Sequence, residues 1–442
     1  MRDLSTVIGI VACIAASLIT GISLYIGFIG AILICAGLQW SRFDIKKAGA
    51  SMFKALAEVK ILYVVIFMIG ASVSSWLAGG VVQTLMLYGL KAMMGRNVVL
   101  MTFIITAIFG FFMGSAIGTI STLGIAILGI GAAFEIPLPI LLGAAVSGAF
   151  ISDKISPLSG LMNLTLSGAG ASYKDSVKAM LVTLVPTIFI TCLVYSVIGS
   201  DYVTRASGQI SEIESAMKTA YVIHPALLVL PIMVIGLAFL GRPSFVSIGS
   251  GIVLGGIFSV VIQGYSVLTT IKFILLGYKA SSGDALIDGI LRSGGMFGMT
   301  EVILIIMGAV ALSDLMETTK LNERLFGRFF ENIKSGNQLL LRGGVVSIVL
   351  TALTCDQTAG IVLPMRILRT KGKNFGVTPA MTVRTISDSG TIVAPLMPWN
   401  INALIIIGIT GIGATEYAPY AFLCMIAPAV HALYLYINPV GD

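Results

Sequence analysis

Charge is what this sequence has least of. Asp, Glu, Lys and Arg make up 11% of its 442 residues, against a hydrophobic share of 57% and a mean hydropathy of +1.01. Soluble domains carry about a quarter charged residues, so an ordinary soluble protein is excluded. Histidine is scarcer still: His224 and His431 stand alone near the ends of apolar runs and read as interfacial residues rather than a proton relay. The five cysteines (Cys13, Cys35, Cys192, Cys355 and Cys424) all lie in apolar segments without metal-ligand spacing, and read as small apolar residues. Nucleotide-binding loops of the Walker type, HExxH and G-x-S-x-G are all missing. ATP-driven pumping and intramembrane hydrolysis therefore have no support, and neither an enzyme nor a cofactor is expected.

Long uncharged runs are abundant. Those at 4–41, 61–90, 97–134, 179–200, 243–271 and 389–415 are each long enough to span a hydrocarbon core, which predicts a multi-pass all-α membrane protein in a lipid bilayer. The first run is too long for a cleavable signal and has only Arg2 ahead of it, so Met1 reads as the mature start. The net charge of +7 is accounted for by topology rather than by a nucleic-acid partner. With a cytoplasmic N-terminus, the basic connectors at 42–60, 174–178, 320–342 and 366–384 all fall inside, and the stretches with Glu135, with Glu212 and Glu214, and with Glu416 fall outside. Lys91 and Arg96 are exceptions. Both termini are then cytoplasmic.

The chain reads as two copies of one unit. Ile151-Ser152-Asp153 and Ile386-Ser387-Asp388 lie 235 residues apart, as do Thr119 and Thr354, and a weaker match at 238 pairs Gly70-Ala71 with Gly308-Ala309. The expected organisation is a first membrane repeat at 1–200, a charged linker at 201–221 and a second repeat at 222–442. Each repeat holds about five spans, a segment with a polar tip and a discontinuous helix, and the odd span count makes the second repeat inverted relative to the first. The polar-tipped segments, around Gly114 to Gly124 and around Thr354 to Thr358, are either two crossings or a re-entrant hairpin.

Carboxylates inside a membrane cost roughly 2.5–3.5 kcal/mol each on insertion scales, so Asp153, Asp356 and Asp388 need a reason to be there. Each sits among Ser, Thr, Gly or Pro, a composition that unwinds helix and exposes carbonyl oxygens. A hard cation such as Na⁺ takes oxygen ligands, and a carboxyl group holds either a proton or Na⁺. These three acids are the candidate ion- and proton-binding residues, with Na⁺ at Asp153 and Asp388. Supporting oxygens are available from Ser115, Thr119, Ser121, Thr122, Ser156, Ser159, Thr354, Gln357, Thr358, Ser387, Ser389, Thr391 and Asn400; interhelical hydrogen bonding is the alternative role for the hydroxyls. Glu301 and Asp314 lie near predicted span ends. Lys154 and Arg384 are placed to neutralise an empty site, although Arg384 equally reads as a cytoplasmic anchor. Trp399, with Asn400 and Asn402, either faces an organic substrate or packs as an interfacial aromatic.

At these residues the chain resembles the NhaC family of Na⁺/H⁺ antiporters, within a larger ion-transporter superfamily. The resemblance covers most of the chain and is strongest in GAFISDKISPLSGLMNL (148–164), TCDQTAGIVLP (354–364) and DSGTIVAPLMPWN (388–400). It implies a carrier of the cytoplasmic membrane that exchanges Na⁺ for H⁺ by alternating access, with paired hairpins and discontinuous helices, as a homodimer. The family's cation-site acids fall on Asp153, Asp356 and Asp388. Two acids of the family pattern are missing here, at Gly160 and Ser387. Fewer acids beside small apolar residues suit the alternative, a Na⁺- or H⁺-coupled carrier of a small organic acid or amino acid.

Overall fold

A computed structural model describes residues 2–40, 45–202, 209–281 and 285–440. Arg42, the part of the charged linker at 203–208 and the Glu212 side chain lie outside the described residues. Among the described residues every regular element is helical, apart from one isolated antiparallel bridge between Lys279 and Arg292. The first half runs through α1 (Arg2–Thr20), α2 (Leu24–Gln39), α3 (Ile45–Glu58), α4 (Lys60–Ala78), α5 (Val81–Met93), α6 (Val98–Met113), α7 (Ala116–Ala133), α8 (Leu138–Ala149), α9 (Ile151–Ile155), α10 (Gly160–Ala169) and α11 (Tyr173–Ser200). After α12 (Gln209–Ala220) and α13 (Val229–Phe239) come α14 (Ser244–Val261), α15 (Val267–Leu276), α16 (Ala285–Ile290), α17 (Thr300–Thr318) and α18 (Leu321–Gly327). The chain closes with α19 (Gly336–Thr354), α20 (Gln357–Gly372), α21 (Pro379–Ile386), α22 (Ile401–Thr410), α23 (Ala414–Tyr417) and α24 (Phe422–Ile437).

Among the described residues seven helical segments are long and apolar enough to cross a membrane, and three bent pairs raise the number to ten if each is one span. The protein is an all-α polytopic membrane protein. Helix α11 shows why such a helix sits in lipid. Leu181, Val185, Phe189, Leu193 and Val197 recur every fourth residue and are all exposed, while Thr183, Thr187 and Thr191 form a buried stripe on another side. An exposed aliphatic stripe of that length is stable only against hydrocarbon. The buried threonines donate their hydroxyl protons to protein acceptors, Thr187 and Thr191 to carbonyls one turn back at 2.7 Å, which satisfies them without water.

The polar-tipped segments are hairpins. Helices α6 and α7 meet at Gly114 (φ +69°) and the extended Ser115, whose Oγ accepts from Gly118 N at 3.1 Å. The left-handed turn needs glycine, and a Cβ there would also stand 2.5 Å from the Leu158 side chain. Gly131 near the end of α7 packs on Leu141 near the start of α8, and Gly148 packs on Phe103 and Thr106. Both arms therefore return to the end where α8 begins, and the tip stops at Leu158, in the break between α9 and α10. Helices α19 and α20 form the second hairpin, turning at Cys355 (φ +61°) and the extended Asp356. Gly336 abuts Phe375, Gly343 abuts Leu368 and Gly360 abuts Thr351, an antiparallel register. Its tip also stops at a break: Ile401 N donates to Cys355 O at 3.0 Å.

The two hairpins open at opposite ends of the 138–169 segment. The first opens beside α8; the second opens beside the end of α10, where Arg369 donates to Gly168 O at 3.3 Å. That second end gathers the basic connectors. Ser51 of α3 donates to Asp314 of α17 at 2.9 Å, Lys371 donates to Phe330 O at 2.6 Å, and Arg342 donates to Phe329 O at 2.8 Å. The start of α4 and the end of α17 share this face. Lys91, an exception to the charge rule, lies elsewhere, paired with Glu214 of α12 at 2.8 Å.

A single spacing relates the backbone landmarks of the two halves, and it is 241 rather than 235. The left-handed turns at Gly114 and Cys355, Glu135 and Gly376, and Gly170 and Gly411 are all 241 apart. So are the helix-starting residues Ser115 and Asp356, Pro137 and Thr378, and Ser159 and Asn400. The sequence matches at 235 do not share this register. Thr119 lies just after the first tip and Thr354 just before the second; Asp153 lies close to its break at 156–159, whereas Asp388 lies a further two turns from the break at 397–400. In the 241 register Asp388 stands opposite Ser147 and Asp153 opposite Ala394. The 238 match pairs α4 with α17, which start at Lys60 and Thr300. Helix α14 starts 242 residues after α1, at Ser244 and Arg2.

Candidate functional site

Two of the three candidate acids face one cavity. It has a volume of about 500 Å³ and is lined by both hairpin tips, by the break at Leu158 to Leu161, by α22 and by one side of α4, α13 and α14. Asp153 lies at the last turn before the break in the first broken segment, 7% exposed. Ser159, which caps α10, has its Oγ 3.4 Å from Asp153 Oδ1, and the Ala116 backbone N–H at the start of α7 faces the same carboxylate. A helix N-terminus beside a carboxylate stabilises its charge. Asp356 begins α20 at the other tip and lines the same cavity.

The expected ligands divide by where the fold puts them. Ser115, Ser121, Thr122, Ser159 and Gln357 line the cavity with the acids. Ser121 and Thr122 donate their protons to Gly118 O at 2.9 and 2.8 Å, which leaves their oxygen lone pairs free for a cation. Gln357 donates to Thr391 O at 2.6 Å and accepts from Asn402 Nδ2 at 3.0 Å; Asn402 in turn donates to Asn400 Oδ1 at 2.9 Å. Asn402 thus belongs to the cavity wall, and Asn400 orients it from a fully buried position. Thr119 and Ser156 are buried and donate to Ser115 O and Phe111 O. Thr354 does not line the cavity; its hydroxyl is 2.8 Å from Leu350 O and 3.2 Å from Asp356 O. Ser387, Ser389 and Thr391 are buried in the second broken segment, and Thr358 faces a different cavity. Trp399 is a packing residue, its Nε1 donating to Ala352 O at 2.7 Å.

Asp388 is not open to that cavity. It sits in a π-helical turn, Ser387–Thr391, against which α19 closes at Gly390, where a Cβ would meet Ser347 Oγ at 2.2 Å. Lys154 Nζ forms an ion pair with Asp388 Oδ1, both side chains fully buried. Thr183 Oγ1 donates to Oδ2 at 2.7 Å, and His431 Nδ1 lies 3.3 Å from the same oxygen without an aligned hydrogen bond. Where Na⁺ is expected at Asp388, an ammonium group already supplies the positive charge that a cation would bring, and Thr183 takes a further lone pair. Lys154 turns to Asp388 across the molecule, not to its neighbour Asp153. His431 is interior rather than interfacial. Arg384 is neither a neutraliser nor an anchor; it is buried under the Tyr434 ring, 4.2 Å from its centroid, with Nε and one Nη unpartnered. Glu301 and Asp314 tether helices, accepting from Ser23 and Ser51 at 2.5 and 2.9 Å.

Two broken segments, two hairpin tips that stop at the breaks, and carboxylates on one shared cavity make a compact arrangement for holding a small cation inside a membrane. Comparison with known proteins agrees. Residues 148–438 match the model of the Na⁺/H⁺ antiporter family. The chain belongs to this family. It is 28% identical over 375 residues to the Na⁺/H⁺ antiporter NhaC of Alkalihalophilus pseudofirmus, covering 85% of this chain and 81% of that one. It is 27% identical over 417 residues to the malate-2H⁺/Na⁺-lactate antiporter of Bacillus subtilis, covering 94% and 88%. A third relative is the arginine/ornithine antiporter ArcD of Halobacterium salinarum, 26% identical over 382 residues, 86% of this chain and 78% of its own. The resemblance to NhaC proteins seen in the motifs is that of a divergent member, and these relatives are antiporters rather than enzymes.

Proposed function

We propose that the protein is a secondary active transporter that exchanges Na⁺ for H⁺ by alternating access, with Asp153 and Asp356 holding either ion. The observation that carries this reading is the shared cavity: carboxylates from the two halves of the chain face it together with Ser121, Thr122, Ser159 and Gln357. One carboxylate holds a proton or ligates Na⁺, so binding of one ion displaces the other, and opening to one side at a time couples their fluxes. The same reading takes the halves as two inverted repeats, with the second beginning after α13 rather than at 222. It places the protein in the cytoplasmic membrane, with the basic face and both termini inside.

Proteoliposomes with an internal pH dye test the proposal. The unaltered protein should move protons in response to a Na⁺ gradient, and Asp153→Asn and Asp356→Asn should each abolish that movement while eluting as folded protein in detergent. A silent wild type, correctly folded and inserted, would overturn it. A second reading, coupled transport of a small carboxylate or amino acid, is favoured by the cavity's size, which is that of a small-molecule site rather than a bare-ion site, and by Arg242 at its exposed edge. Counterflow of labelled malate, lactate or arginine in the same vesicles distinguishes the two.

A further inference from the structure

Asp356 stands between two cavities. Besides the large one, a second of about 360 Å³ lies between the end of α17, α18 and one face of α20, and among the described residues Asp356 alone lines both. The second cavity follows α20 outward from Asp356: Thr358, Val362 and Arg366 recur at helical spacing along it, 6 Å or so per step of four residues. Ser313 and Glu317 face them from successive turns of α17, and Asn322 and Glu323 from α18. Beyond Glu323 and Arg366 it continues into a surface groove beside Thr370 and Lys371. Both cavities open on the face where α4 starts and α17 ends, the larger beside Leu62 and Arg242, the smaller beside Lys320 and Glu323.

Their linings differ in kind. The larger cavity presents Asp153 and Asp356 with hydroxyl and amide oxygens, a set suited to a dehydrating cation. In the smaller one Glu317 and Glu323 are offset by Lys320 and Arg366, so a metal cation gains no net attraction on the way to Asp356. A proton needs neither a coordination shell nor a net field; it needs water and hydrogen-bonding groups in series. Such groups are present, and Asn322 Oδ1 is buried there with no protein partner. Resting on the Na⁺/H⁺ reading above, we propose that Asp356 exchanges its proton through this second cavity while Na⁺ uses the larger one, so that the two ions need not pass one another on the open side. The charged groups bearing on Asp356 are then Glu317, Lys320, Glu323 and Arg366 on one side and Asp153 and Arg242 on the other.

Two experiments test this. In the first, Asp356→Cys is labelled with 2-aminoethyl methanethiosulfonate in proteoliposomes, with the native cysteines as background. Val362→Trp fills the smaller cavity from a position that is half exposed, and Ser121→Trp fills the larger. Labelling should persist with either cavity filled and be lost with both filled. Loss with Ser121→Trp alone, or no further loss on adding Val362→Trp, overturns the second route. This readout needs no transport activity, so it stands apart from failure of the exchange reading itself. In the second, with Asp356 intact, Val362→Trp should slow Na⁺-driven proton movement at an unchanged half-saturating Na⁺ concentration. A raised half-saturating concentration with undiminished maximal proton flux overturns the assignment of the proton to that route. Ala359→Trp, filling the same cavity from three residues earlier on α20, serves if Val362→Trp does not fold.

Discussion

Asp153 and Asp388 end the same tripeptide, yet the fold gives them opposite surroundings. Asp153 faces a cavity with one hydroxyl beside it and the N-terminus of α7 nearby. Asp388 faces a lysine, a threonine and a histidine in a sealed interior. The difference comes from one neighbour and one register. Lys154, next to Asp153, is directed across to the other broken segment, and the 241 spacing sets Asp388 deeper in its helix than Asp153 is in its own. A cavity-facing, lightly ligated acid has capacity to bind and release; an acid matched by an internal ammonium group is already satisfied. The first arrangement suits turnover, whereas the second joins α9 to the π-helical turn and braces the two broken segments against each other.

The sharpest way to break this comparison is to remove one charge from each place. Lys154→Met or Asp388→Asn alone leaves an unpaired or half-paired charged group in a dry interior and should cost about 3–5 kcal/mol of stability, read as early unfolding in detergent on heating. The double variant Lys154→Met/Asp388→Asn should recover most of that loss. Asp153→Asn should lower stability far less while abolishing exchange. If Lys154→Met unfolds like the wild type, the bracing role is lost.

How far the sequence alone reaches can be judged at the same residues. The apolar runs were enough for the fold class, and the Ser, Gly and Pro around Asp153 marked a true break. The hairpins remained open as an alternative because run length cannot tell a crossing from a return; only contacts such as Gly131 on Leu141 decide. The 241 spacing of the backbone landmarks was not legible, since left-handed turns at Glu135 and Gly376 share geometry without sharing a residue type. Asp153 and Asp356 were recognisable as intramembrane acids, yet their meeting on one cavity is a tertiary fact. Thr183 left a trace, the buried stripe it forms with Thr187 and Thr191 on α11, whereas His431 left none, because a single histidine carries no period.

The two hairpin tips sharpen the comparison at a smaller scale. Both turn through the left-handed region, one with glycine and one with cysteine. Gly114→Ala forces a Cβ into that conformation and into Leu158, and should cost about 1–3 kcal/mol. Cys355→Gly relieves a strained turn at the expense of a more flexible unfolded chain, and the two effects should cancel to within about 1 kcal/mol. Thermal unfolding of both variants measures this; equal losses would mean that the tips are not held alike.

The smallest effect is expected at Glu214 of α12, which is not one of the seven long apolar helices. Helix α12 meets the segment containing α13 at 88°, so it runs across the face, and there Glu214 accepts from Lys218 at 2.6 Å and Lys91 at 2.8 Å. These two ammonium groups, Lys218 foremost, hold its carboxyl below the usual carboxylate range. A depressed value in the folded state means that the tether between α12 and α5 contributes fully above the unfolded carboxyl's pKa and is lost as pH falls through the folded one. Because the pair is solvated, salt screens it, whereas the Lys154–Asp388 pair is beyond the reach of salt. Glu214→Gln should therefore raise amide exchange in α12 and α5 at neutral pH and low salt, and change little at high salt or in acid. The destabilisation by Lys154→Met should persist at every salt concentration. A salt-sensitive Lys154 effect would show that water reaches Asp388, and would return that carboxylate to the list of exchangeable acids beside Asp153.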